Sequence, residues 1–81
     1  MKVNVGAGHE FSVEIVEKIG VIEKHKTGWS KELNIVAWGE TNPKFDIRDW
    51  NPTHEKMSRG ITLTESELRS LGKLINEYLG D

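Results

Sequence analysis

At 81 residues, with 36% hydrophobic and 30% charged side chains, the chain has room for one small polar domain that its own core stabilises only marginally. The absence of cysteine excludes disulfides and thiolate metal centres, and a formal net charge of −2 argues against gripping a polyanion through bulk charge. No run approaches the roughly 20 apolar residues of a membrane span, and MKVNVGAGHE lacks the apolar stretch of a secretory signal, so a cytoplasmic protein with no membrane association is expected.

Residues 1–10 show no periodicity and read as a flexible arm ahead of a domain over 11–81. Phe11, Val13 and Ile15 alternate with Ser12 and Glu14, the period of a half-buried strand. That strand continues through Ile19, Val21 and Ile22, with Gly20 as a bulge or bend. Lys24 to Gly28 is a polar turn. A second strand from Trp29 to Trp38 puts Leu33, Ile35 and Ala37 on one face and Glu32, Asn34, Val36 and Trp38 on the other. Gly39 to Pro43 forms the next loop.

The third strand, Lys44 to Trp50, alternates cleanly. Phe45 and Ile47 are expected to face the core, and Lys44, Asp46, Arg48 and Trp50 to face solvent. Residues 51–60 read as an irregular loop carrying His54, Lys56 and Arg59, followed by a short fourth strand at Ile61 to Leu63. A helix then starts at a capping box, Thr64 with Glu67, stapled by Leu63 and Leu68. Its apolar stripe is Leu68, Leu71, Ile75 and Tyr78, flanked by Leu74 and Leu79, and Gly80 stands where a C-terminal cap belongs. The fold class is therefore α+β: a four-stranded antiparallel sheet followed by one C-terminal helix. One helix covers only part of such a sheet, so a homodimer is the natural completion.

Catalysis finds little support. His9, His25 and His54 have no second His or Cys at ligand spacing, so no metal or other cofactor is expected. Gly6-Ala7-Gly8 lacks the further glycine and preceding strand of a dinucleotide loop, and no serine has the context of an activated nucleophile. Asp46 and Asp49 fall on opposite strand faces, which excludes a carboxylate pair. No enzyme and no small-molecule substrate are expected.

The aromatic residues are more informative. Trp29, Trp38 and Trp50 all fall in one 22-residue stretch that also carries Lys31, Lys44 and Arg48. Two readings compete: the indoles build a small core, or they stack on the bases of a single strand while the cations hold its phosphates. Read by face, Trp50 joins Lys44 and Arg48 as the strongest stacking post, Trp38 is a second, and Trp29 stays undecided between the two roles. Lys31, Lys56 and Arg59 extend the cationic strip. A protein-interaction module docking an acidic peptide on the same face is the alternative from another class, and a glycan-binding face is a more distant third.

Lys44-Phe45-Asp46-Ile47-Arg48-Asp49-Trp50, a Pro-containing loop, Arg59-Gly60-Ile61-Thr62-Leu63 and the capped helix together resemble the single-stranded-DNA-binding domain of the transcriptional coactivator positive cofactor 4. GWSKELNIVAWGETNPKFDIRDW and PTHEKMSRGITL are most similar to the bacterial YdbC-type members of that family. The resemblance runs from about Phe11 to Tyr78. It implies a curved β-β-β-β-α protomer that dimerises and holds single-stranded DNA with little sequence preference, acting in transcription or DNA maintenance; whether RNA is also taken is left open. Matched position by position, Arg48, Trp50, Arg59 and Lys56 fall on DNA-contacting positions, and Trp38 lies near the family's aromatic at the end of the second strand. One residue separates Arg48 from Trp50 here, one fewer than in the coactivator.

Overall fold

The computed structural model describes the backbone of residues 2–5 and 9–80 and the side chains of residues 13–80. Among the described residues five strands and one helix follow in order: β1 (Lys2–Val5), β2 (His9–Lys24), β3 (Ser30–Trp38), β4 (Lys44–Trp50), β5 (Met57–Leu63) and α1 (Glu65–Leu79). The strands form one sheet in sequence order, each antiparallel to the next. The expected curved four-stranded sheet and C-terminal helix are present as β2 to β5 and α1.

Two boundaries differ from expectation. Residues 2–5, read as part of an arm, pair with residues 9–12 of β2, from Lys2 opposite Ser12 to Val5 opposite His9. Lys2-Val3-Asn4-Val5 does alternate polar and apolar, but over only four residues, and the pairing with β2 is what defines it as a strand. The fourth strand of the expected order starts at Met57 rather than Ile61, and Arg59 and Gly60 lie inside it. Gly60 hides that strand from a propensity reading. It sits opposite Arg48, where an added Cβ would enter the space of the Ile47 carbonyl and the Arg48 side chain, so a glycine inside a strand here marks a close backbone approach.

The largest difference lies in which face is buried. Val13, Val36, Trp50 and Met57 form the core, with Ile15 and Trp38 packed against it. Ser30, Glu32, Asn34, Asp46 and Arg48 are buried on the same side. Phe45 and Ile47, expected to be the core face of β4, are only half-buried. The register of β2 against β3 shifts three times, after Ile15, Lys18 and Val21. Each extra residue bends and twists its strand. We attribute to this curl the closure of the Trp50 face on itself, which alternation along one strand does not reveal.

The helix forms as its signals require. Thr64 accepts from the Glu67 backbone N–H at 3.2 Å, the Glu67 carboxylate accepts from the Thr64 N–H at 2.8 Å, and Gly80 closes the helix at φ +76°. It touches β4 and β5 but buries none of its residues within the chain. Leu74, Ile75, Tyr78 and Leu79 are exposed, Tyr78 at 90%, and among the described residues nothing lies within 4 Å of where a Cβ at Gly72 would stand.

Candidate nucleic-acid interface

Alternation along β4 brings Asp46, Arg48 and Trp50 to one side, and there the chain packs them inward. Asp46 has no exposure and Arg48 only 8%, and the Arg48 Nε donates to Asp46 Oδ1 at 2.6 Å. Burial pushes the Asp46 carboxyl above its ordinary range, and the hydrogen bond and charge of Arg48 oppose that shift only in part. The guanidinium also lies 4.7 Å from the centroid of the Trp38 ring, a cation–π distance. Its Nη1 donates to the Ser58 carbonyl at 3.4 Å and to Met57 Sδ at 3.8 Å. Arg48 is thus a packed cation joining three strands, with Trp38 half-buried beneath it.

Trp50 is wholly buried, with the His54 ring 5.6 Å from it and tilted by 31°. The expectation of a solvent-facing Trp50 is therefore corrected: in this conformation no face of its indole is open to a base. Lys44, by contrast, is exposed, as are Lys56 and Arg59. Among the described residues none of these three is engaged in an ion pair within 4 Å.

Lys31 and Trp29 belong to the opposite side of the strands. Lys31 is 43% exposed and pairs with Asp49 Oδ1 at 3.2 Å, and His25 Nε2 meets the same oxygen at 3.3 Å. Partial burial works to raise the Asp49 carboxyl, but the hydrogen bonds and charges of Lys31 and His25 prevail and hold it below its ordinary range. Trp29 is half-buried at the rim of a cavity of about 530 Å³ that it shares with His25, Thr27 and Asp49. The seven expected contact residues do not form one strip. Lys44, Lys56 and Arg59 are free cations, Arg48 and Trp50 are internal, Trp38 is intermediate, and Lys31 lies across the sheet from Trp50.

A second polar group was not legible as a site. Glu32 and Asn34, two residues apart on β3, are 5% and 0% exposed, and Asn34 Nδ2 donates to Glu32 Oε1 at 3.2 Å. His54 Nε2 lies 2.9 Å and 3.1 Å from the two Glu32 oxygens. His54 adopts φ +59°, a left-handed conformation uncommon outside glycine. The loop that carries it is organised by Asn51, whose Oδ1 accepts from the backbone N–H groups of Glu55 and Lys56 at 2.9 Å and 2.8 Å. The available signal was that Glu32 and Asn34 share a face with Val36, so two polar residues stand on a side that also carries core. Their partner His54 is 22 residues from Glu32, which no local pattern connects. Among the described residues no group of three His, Cys, Asp or Glu side chains is placed to hold a metal ion.

The family model described as Transcriptional Coactivator p15 (PC4) matches residues 25–74. The chain is also similar to an uncharacterised protein of Treponema pallidum (strain Nichols), 37% identical over 67 residues that span 83% of this chain and 79% of that relative.

Proposed function

This chain belongs to the transcriptional coactivator p15 (PC4) family, and on that premise we propose that it is a homodimeric, largely sequence-independent single-stranded-DNA-binding protein of the bacterial YdbC type. The observation that carries the reading is the extent of the family match: residues 25–74 contain Lys31, Trp38, Lys44, Arg48, Trp50, Lys56 and Arg59. Exposed Lys44, Lys56 and Arg59 supply unpaired positive charge for phosphates. Arg48 and Trp38 pack as a cation–π pair, and Trp38 rests against the core cluster that contains Trp50. The uncovered stripe of Leu74, Ile75, Tyr78 and Leu79, with open space at Gly72, supports a second protomer seated on the helix. The protein works in the cytoplasm, in transcription or DNA maintenance, and is not an enzyme.

Titration of the protein with an unstructured oligothymidine at two salt concentrations, followed by tryptophan fluorescence, tests this reading. Saturable quenching whose affinity falls as salt rises is the expected outcome, because phosphate contacts release counterions. Absence of any binding at low salt refutes it. Sedimentation of the free protein as a monomer at micromolar concentration refutes the dimer.

A further inference from the structure

Trp50 is closed off, and Trp38 is packed against the core with the Arg48 guanidinium over its ring. A third ring is better placed to meet a base. The His54 side chain keeps 24% of its surface exposed and lines a cleft of about 610 Å³ between the second half of β2, the middle of β3 and the 51–56 loop. That volume falls in the range of small-molecule sites, roughly 300–1,000 Å³. Among the described residues that line the cleft, His54 alone is aromatic.

The imidazole is held in place before any ligand arrives. Its Nε2 lies 2.9 Å and 3.1 Å from the two Glu32 oxygens, and the Trp50 ring lies beside it, only 31° from parallel. The His54 backbone N–H donates to the Asn51 carbonyl at 3.0 Å, and the left-handed backbone at φ +59° is of the kind that gathers where ligands are clamped. A ring already fixed loses little further freedom when a base settles on it, so more of the stacking energy appears as affinity.

The mouth of the cleft is cationic. Lys18 and Lys24 line it and are exposed, and among the described residues neither has an ion-pair partner within 4 Å. Glu17 and Glu23 stand on the same strand but outside the lining, and Glu32 is 5% exposed and engaged by His54 and Asn34. A ring inside and two unpaired ammonium groups at the entrance are what a single strand requires, stacking for a base and charge for its phosphates.

We propose that His54 is a base-stacking platform: a base of the bound strand enters the cleft and lies on the imidazole, which Trp50 backs, while Lys18 and Lys24 hold the flanking phosphates. The platform rests on the single-stranded-DNA reading and extends its contacts to β2 and the 51–56 loop. Trp50 then contributes to binding through His54 rather than by touching a base.

Two substitutions separate stacking from a merely structural role. His54→Gln keeps an N–H near the place of Nε2 and removes the ring; His54→Phe keeps a ring and removes the donor. Oligothymidine is expected to bind His54→Gln on the order of tenfold more weakly than wild type, and His54→Phe to stay close to wild type. The reverse order, which a role confined to holding Glu32 requires, overturns the platform. Replacing Lys18 and Lys24 together with alanine is expected to lower the slope of log affinity against log salt by about two, and an unchanged slope overturns the path through the cleft. The unaltered protein supplies a readout that stands even if the His54 variants fail to fold: the NMR signals of the His54 ring protons are expected to move upfield when oligothymidine binds, under the ring current of the stacked base. Binding that leaves those signals in place overturns the platform and leaves the DNA-binding reading intact. Failure of oligothymidine to bind at all overturns both.

Discussion

Replacing Trp50 with alanine separates two roles for its indole. A stacking post lost from the surface leaves the fold intact and weakens binding by roughly 1–3 kcal/mol per base. Trp50 instead has no exposed surface and packs with Val13, Val36 and Met57, contributed by β2, β3 and β5, so its removal opens a cavity where four strands meet. Aromatic-to-alanine changes in a core are destabilising by about 3–5 kcal/mol. A chain of 81 residues has roughly 4–12 kcal/mol of total stability at 0.05–0.15 kcal/mol per residue, so the variant keeps little margin. At about 4–8 °C per kcal/mol for a domain of this size, the thermal midpoint is expected to fall by more than about 10 °C. Circular dichroism melts of wild type and Trp50→Ala, at one fixed protein concentration because dimerisation makes the midpoint concentration-dependent, read the effect directly. A variant that melts within about 3 °C of wild type while binding oligothymidine far more weakly would refute the buried placement and restore the platform.

Three further outcomes are expected. Gly60→Ala forces a methyl group against the Ile47 carbonyl and the Arg48 side chain, with Arg48 Cα only 3.0 Å away, so β4 and β5 must part where Arg48 meets Asp46. Overpacking of this kind destabilises by about 1–3 kcal/mol, and a melt unchanged from wild type would contradict the close approach. Lys44→Ala removes an exposed cation, so it is expected to leave the melt unchanged, to weaken oligothymidine binding, and to reduce the slope of log affinity against log salt by about one; an unaltered slope places Lys44 outside the phosphate path. For Asp46, whose folded-state pKa lies above its ordinary 3.8, the native state binds the proton more readily than the unfolded chain. Its contribution to stability is therefore greatest at low pH and is lost as pH rises from 3.8 through the raised value. Asp49 runs the other way, adding stability above 3.8 that is lost as pH falls through its depressed value. Asp46→Asn should remove the first component only, so the difference in stability between wild type and variant, measured by urea unfolding, should drift against wild type as pH rises across that window. A difference constant with pH refutes the raised value.

Much of the fold was legible because its signals are local. Lys44 to Trp50 is a strand of the expected length, its polar and apolar residues alternating from Lys44 to Arg48. The helix ends are set by Thr64, Glu67 and Gly80, whose hydrogen bonds and backbone angles act over three or four residues. The candidate site was legible in part. Lys44, Lys56 and Arg59 are exposed, and the pairing of Asp46 with Arg48 follows from their shared face. The Glu32–His54 contact was out of reach, since it joins a strand to a loop through a backbone conformation that no neighbouring residue announces.

What the sequence by itself determined is the order of elements, the capped helix, the composition of each strand face and the positions of the cations Lys44, Lys56 and Arg59. What only the tertiary structure decided is which face of the sheet is inside. Alternation establishes that Phe45 and Ile47 stand opposite Asp46, Arg48 and Trp50, but it assigns neither set to water. That assignment depends on curvature, which the three register shifts in β2 introduce, and on coverage, which one helix touching β4 and β5 supplies only in part. Trp50 and Arg48 went inward for that reason, carrying Asp46 with them, and the apolar stripe of the helix was left facing outward.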